Sequence, residues 1–277
     1  MIQTATRHIL ATLDGPDSAD ITNPIHSTEV ARQYGFERAL VGGVTVYGWA
    51  TPPIIQTLGE MWLSNGWVDV RFKAPVYPGD EIAIQVEAED RAAAFRFTNQ
   101  VGTVCLEGTA GLGGAAWAGD IRVPERRMHQ DRPATLPRLE PGTLPLGLEL
   151  RPMRDHPARE EVTTYAHELQ RDEHLRWTGP NAVIHPGWIA GRMTRLMHHS
   201  FDYGPSIHTR SQIQHLAAIV VGQPAVVAGT FVETFEKNGH NYVVVDGAIF
   251  EEGSGDLLVK LRHTTIYRVA RKDERGS

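Results

Sequence analysis

The sequence predicts an α+β protein made of two similar halves, each a central helix followed by a run of antiparallel strands. Three observations predict it. An apolar segment of helical length occurs twice, at Val44–Leu63 and at Pro186–Phe201. Each is followed by segments in which apolar and polar residues alternate, divided by tight-turn signals. Between them, from about Gly119 to Pro145, prolines and arginines cluster with little periodicity, as in a segment crossing between two units. One helix and then several antiparallel strands, given twice, is the pattern of a duplicated α+β unit. The predicted boundaries are 1–118, a linker at 119–145, and 146–277.

The elements follow in order. Thr4 to Leu13 has weak helical periodicity and is ended by Asp14-Gly15-Pro16. Pro24 suits a first helical turn with Asn23 as its cap, and Gly35 is placed to stop that short helix. Within Val44–Leu63, Pro52-Pro53 must restart or kink the helix, because neither has an N–H to donate. Glu81 to Glu89 alternates, with Ile82, Ile84 and Val86 on one face, which reads as a half-buried strand. Ala94–Thr98 and Thr103–Leu112 complete the first antiparallel set. In the second half, Trp188, Ile189, Met193, Leu196 and Met197 follow helical spacing. Strands follow at Ile207–His215, Ala225–Glu236, Asn241–Phe250 and Leu257–Arg268, with Asn238-Gly239 as a strong hairpin signal.

Bulk properties narrow the function. At 277 residues with 41% hydrophobic and 22% charged residues, the chain has the make-up of a globular protein able to bury a core. A net charge of −6 and the lack of a basic stripe interleaved with aromatics argue against nucleic acid as a partner. No apolar run reaches the ~18 residues of a membrane span, and the N-terminus lacks a signal-peptide plan. The single Cys105, in strand-like surroundings, reads as a buried hydrophobe and fits a reducing compartment, so a cytoplasmic location is expected. Thirteen histidines offer no His-Glu-x-x-His or paired-Cys pattern, and His198-His199 diverge on a helix, so no metal is expected. There is no Gly-x-Ser-x-Gly elbow, and the glycines from Gly108 to Gly114 lack a dinucleotide pattern.

One set of motifs carries a resemblance. Asn23-Pro24-Ile25-His26, Gly35-Phe36, Leu40-Val41-Gly42-Gly43 and Val70-Arg71-Phe72 through Val76-Tyr77-Pro78-Gly79-Asp80 occur in that order. This text resembles the MaoC-like dehydratases and (R)-specific enoyl-CoA hydratases of the hot-dog fold. The second half is similar to a more diverged hot-dog unit, so the chain as a whole resembles a double hot-dog. Two long central helices, each wrapped by an antiparallel sheet, are implied, with the sheets joined edge to edge. The resemblance implies an acyl-thioester substrate carried by coenzyme A, no separate cofactor, and a homodimer or hetero-oligomer with another hot-dog subunit. It further implies that an Asp and a His flank a water, and that N–H groups at the start of the central helix hold the thioester oxygen. Such donors suit an enolate-like oxyanion.

The chain departs from that pattern. The family's Asp would stand five residues before His26, at Ile21; Asp20 is one residue off, on the other face of an extended segment. The family's His-Gly at the helix start is Gly42-Gly43. His185 does precede Pro186-Gly187 at the second helix start, but the nearest acids upstream, Asp172 and Glu173, lie more than ten residues away. Candidate catalytic residues are His26, His185 and Asn23; candidate substrate-binding residues are Gly42, Gly43 and Gly187. Against these stand plainer readings: Asn23 and His26 as helix-start residues, His185 as a shaper of its helix, the glycines as close-packing positions. Arg126, Arg127, Arg132 and Arg138 could meet coenzyme A phosphates or simply face solvent. Three functions are in play: a hydratase or dehydratase of 2-enoyl-CoA or 3-hydroxyacyl-CoA, a non-catalytic acyl-CoA-binding or partner subunit, and an acyl-CoA thioesterase, for which Glu60 is the acid near the helix middle.

Overall fold

The computed structural model describes residues 2–19 and 21–274; Asp20 lies outside the described residues. Ten strands form one antiparallel sheet in the order β1-β3-β4-β5-β2-β7-β10-β9-β8-β6. The first half contributes β1 (Gln3–Leu10), β2 (Gly66–Phe72), β3 (Glu81–Glu89), β4 (Ala92–Thr98) and β5 (Val104–Leu112). The second contributes β6 (Met153–Asp155), β7 (Ile207–His215), β8 (Ala225–Lys237), β9 (His240–Glu251) and β10 (Leu257–Arg268). Within each half the spatial order is first, third, fourth, fifth, second strand, so the duplication read from the sequence is a duplication of topology.

The halves join through β2 and β7, from Trp67 opposite Gln214 to Arg71 opposite Arg210. The Arg210 guanidinium clamps Asp69 across this seam with two bonds of 2.9 and 2.6 Å. Gln214 Nε2 donates to the carbonyls of Gly66 and Gly113, at 3.2 and 3.0 Å. One continuous core runs beneath both halves, from Ile54, Phe95 and Phe97 to Met193, Leu196 and Phe231.

The helical text divides into segments. The first central helix is α2 (Gly43–Gly48), α3 (Thr51–Leu58) and α4 (Trp62–Asn65), preceded by a short α1 (Thr28–Gln33). Pro52 and Pro53 fall in the first turn of α3, where their missing N–H groups cost least, and Gly59 ends it at φ +82°. The second is α6 (Pro186–Ala190) and α7 (Arg192–Ser200), divided at Gly191, with α5 (Arg159–Thr164) and a π turn before them. Each central helical stretch is thus a chain of short segments. The segments pack on the sheet, α3 against β1, β3, β4 and β5, and α7 against β8. Gly229 and Gly247 lie under α7, where the side chains of Leu196 and Met193 leave no room for a Cβ.

One expectation is corrected. Thr4–Leu13 is not helical: Gln3–Leu10 is the edge strand β1, paired along its length with β3. Its burial alternates, Ala5 and Ile9 inward, and Thr4, Thr6 and Ile9 are β-branched, so the long-range ladder overrides a weak helical period. The Pro- and Arg-rich stretch is ordered against the second half: Ile121 and Leu139 are buried, and Leu139 N–H donates to the Asp202 carbonyl at 2.9 Å.

Candidate active site

Asn23, Pro24, Ile25 and His26 form a 3-10 turn from Pro24 to His26, followed by α1. Ile25 is fully buried and packs with Ala31 and Leu40, which anchors the turn. Asn23 does not cap it: its side chain makes no capping bond. Instead Asn23 Nδ2 donates to the Ser206 carbonyl at 2.9 Å and Oδ1 accepts from Ser206 N–H at 3.0 Å, stitching the two halves together. This double bond fixes the amide, so its second N–H faces His26 Nε2 at 3.3 Å. On the other side of the ring, His26 Nδ1 lies 2.7 Å from the Leu40 carbonyl. A carbonyl can only accept, so Nδ1 carries the proton and Nε2 presents a lone pair. The bond from Asn23 to that lone pair is long, and a better-placed donor can displace it.

That lone pair opens into two adjoining cavities, of about 500 and 790 Å³, which share Asp14, Asn23, His26, Leu40, Thr194 and Arg195 in their walls. The first has an apolar wall with Phe36, Val41, Phe72, Val76 and Ile266, and it reaches Gly42 and Gly43 at the start of α2. Gly43 sits between Phe72 and His208, where a Cβ would fall 3.2 and 3.3 Å from their side chains. The first N–H groups of a helix have no intrahelical acceptor, so this wall offers donors to a ligand oxygen. Cys105 also faces the first cavity, its thiol pushed up to about 11 by burial, which keeps it a thiol. His208, lowered to about 4 by burial, remains neutral at physiological pH.

Sequence reasoning missed Asp14, which was read only as part of a turn. The carboxylate lies against Gly42, so closely that a Cβ on Gly42 would fall 2.1 Å from Asp14 Oδ2. Asp14 is exposed by area, but its accessible face is turned into the two cavities. The surrounding protein raises its pKa, an effect opposed by the charge of His26 and by hydrogen bonding from Thr45 and Gly42. The signal that could have found it is the isolated acid in Leu13-Asp14-Gly15-Pro16.

His185 and Gly187 lie elsewhere. His185 is wholly buried at the start of α6, where its Nδ1 accepts from Gly187 N–H at 3.0 Å. Its Nε2 faces Asp172 Oδ2 at 3.5 Å, and Trp177 and Tyr165 close around the ring. Burial lowers the His185 pKa. Burial also pushes Asp172 upward, but its bonding and charge interaction with His185 outweigh that and hold it below the usual carboxylate range. The two groups thus face each other with burial favouring the neutral imidazole and the interaction with His185 favouring the charged carboxylate. Gly187 packs against Tyr165 Oη and the backbone of Gly48, which a Cβ would meet at 2.6 and 3.1 Å. Neither His185 nor Gly187 is in the wall of the two cavities. Among the described residues no three His, Cys, Asp or Glu side chains converge as a metal-binding group.

The MaoC like domain family matches residues 18–109, the stretch that carries Asn23, His26, Gly42 and Gly43. A comparison with the curated proteins finds no match. Among solved structures, a MaoC-like dehydratase superposes with a TM-score of 0.59 at 16% identity, covering 90% of this chain and 90% of that one. A MaoC domain protein from Chloroflexus aurantiacus J-10-fl gives 0.60 at 14% identity over 90% and 88% of the two chains. A Mycobacterium tuberculosis protein with a double hot-dog fold gives 0.59 at 12% identity over 86% and 84%. At these identities the superpositions establish the fold. No described helix is long and apolar enough to cross a membrane. Residues 18–109 match the MaoC like domain family, and the chain as a whole has an α+β double hot-dog fold.

Proposed function

We propose that the protein adds water to, or removes it from, the C2–C3 bond of a 2-enoyl or 3-hydroxyacyl thioester of coenzyme A. The observation that carries this reading is His26: its proton is held on Nδ1 by the Leu40 carbonyl and its Nε2 lone pair faces a cavity that also holds the start of α2. A general base must be within reach of the water it deprotonates, and a fixed tautomer decides which nitrogen does it. In this reading the N–H of Gly43 receives the thioester oxygen, the Gly42 N–H holds the Asp14 carboxyl beside it, and Asn23 orients His26. An acyl chain lies along the apolar wall of the first cavity, whose volume is in the range of small-molecule sites. His185 and Gly187 serve the packing of the second helix.

The second cavity suits the carrier. Arg132 and Arg195 stand in its wall without an acidic partner among the described residues. Of the other arginines near Arg132, Arg126 faces Glu149 at 3.7 Å, Arg127 stacks on Phe250 and Arg138 faces Glu140 at 3.5 Å. Two unpaired guanidiniums at the mouth of a site fit the phosphates of coenzyme A.

A second reading, a non-catalytic acyl-CoA-binding or partner subunit, is favoured by Ile21 at the position where the family has its acid. For the thioesterase reading, Glu60 is exposed beside His174 and Arg176, at 3.5 and 3.4 Å, and outside both cavity walls. Assaying hydration of crotonyl-CoA and longer 2-enoyl-CoAs beside hydrolysis of saturated acyl-CoAs separates the three. Hydration without hydrolysis is expected. Binding without turnover selects the partner subunit, and hydrolysis alone selects the thioesterase.

A further inference from the structure

The acid missing at position 21 has a replacement in space. Ile21 lines the second cavity, so the family's position does face the site, but with an apolar side chain. We propose that Asp14, delivered by the loop after β1, is the catalytic carboxylate of this site and acts together with His26. This assignment rests on the hydratase reading above.

Four observations support it. Asp14 is the one acid among the described residues in the wall of the first cavity, and it lines the second together with His26 and Asn23. The other two acids in the second cavity's wall are Asp131, which does not reach the first cavity, and Asp155, which is engaged by Arg192 at 2.5 Å and Trp188 at 3.3 Å. The carboxylate lies against Gly42, beside the expected place of the thioester oxygen, and interacts with the charge of His26. Its loop is held at the base: Ala11 is buried, its N–H donates to the Asp80 carbonyl at 2.8 Å, and its own carbonyl accepts from Gly79 N–H at 2.8 Å. A side chain three residues beyond such an anchor has a defined place.

The chemistry balances. The water oxygen bonds to C3 while one O–H breaks and its proton goes to His26 Nε2. The π electron pair moves toward C2 and the thioester carbonyl. Asp14, in its acid form, gives its proton to C2. His26 then returns its proton to Asp14, so one water has been added and both groups are restored. Dehydration is the same path reversed. The protein around Asp14 favours the protonated form that this path needs.

The test compares the parent chain with Asp14→Asn, Asp14→Glu and the double variant Asp14→Asn/Ile21→Asp on crotonyl-CoA. Asp14→Asn keeps size and polarity but cannot cycle a proton. It should lower kcat about a hundredfold or more, the usual contribution of a general acid or base, with KM and melting temperature close to the parent's. The acid restored at position 21, whose side chain faces the same cavity, should recover at least about tenfold of that loss. Asp14→Asn with parent-like kcat overturns the assignment and leaves the hydratase reading standing. A loss that neither Glu at 14 nor Asp at 21 recovers makes Asp14 a residue that holds its loop, and also overturns it. A parent chain that hydrates no enoyl-CoA overturns both.

Discussion

Acid should unfold this protein through its buried histidines well before its carboxylates titrate. His215 is 1% exposed, edge-on to Trp62, and neither ring nitrogen has a hydrogen-bond partner among the described residues; burial lowers it to about 4. Burial likewise lowers His198 and His208 to about 4, and His263 well below its ordinary value. An unfolded histidine titrates near 6.5, so a folded-state value below it means that the unfolded chain binds the proton first. The stability these groups leave intact above about pH 6.5 is lost as pH falls toward 4. For one histidine shifted from 6.5 to about 4, the loss between pH 7 and pH 5 is about 2 kcal/mol. Three such groups approach about 5 kcal/mol, comparable with the whole stability of a typical domain. Asp172, held low, adds a loss only below about pH 4, and Asp14, held high, works weakly in the opposite direction. The assay is urea unfolding at pH 7 and pH 5 on the parent and on His215→Met. The substitution costs packing at both pH values, but it should shrink the difference between them by about 2 kcal/mol. A pH difference unchanged by His215→Met, or a parent equally stable at both pH values, refutes the reasoning.

His26→Ala should lower the turnover of enoyl-CoA hydration about a hundredfold or more. His185→Ala should instead cost about 3 kcal/mol in chemical denaturation, by removing the imidazole that faces the buried Asp172 carboxylate, while the folded variant keeps its kcat. Arg132→Ala and Arg195→Ala should each raise KM for a coenzyme A ester about fivefold, as exposed charge pairs allow. KM for the matching N-acetylcysteamine thioester, which has no phosphates, should not change. Gly247→Ala should destabilise by about 2 kcal/mol in thermal unfolding, because its Cβ would lie 2.3 Å from Met193 Sδ and 2.9 Å from the Ala228 carbonyl.

What the sequence disclosed depended on how far apart in the chain the decisive partners lie. The strands β7 and β10 fall where alternation placed them, and Asn238 and Gly239, at φ 52° and 75°, make the tight hairpin their text announces. These are local signals. β1 failed because its strand character comes from pairing with β3, about seventy to eighty-five residues on. Asn23 looked like a cap because residues beside it can be capped, whereas its partner is Ser206 in the other half. His185 and Asp172 looked too distant to pair, yet the 3-10 turn at Leu175–Trp177 folds them face to face. Asp14 was hidden for the same reason: nothing local in Leu13-Asp14-Gly15-Pro16 says that Gly42 and His26 will be its neighbours.

The two halves share one topology but use the start of their central helix differently, and glycine decides the difference at both places. At Gly187 the missing side chain lets the second helix approach the backbone of Gly48, closing the seam and sealing the His185–Asp172 pair behind Trp177 and Tyr165. At Gly42 the missing side chain leaves a space that the Asp14 carboxylate enters, and that space communicates with both cavities. A side chain at Gly187 would push the helices apart; one at Gly42 would evict the acid. The second half still contributes to the open site: Thr194 and Arg195 of α7 and His208 of β7 stand in its walls, and Ser206 holds Asn23 in place. Sealing one helix start makes a rigid partner surface, and the polar groups of the other start can then be held against it. A single half would leave Asn23 without the bonds that orient it and His26 without a far wall. The open cavities are thus walled and braced by both halves.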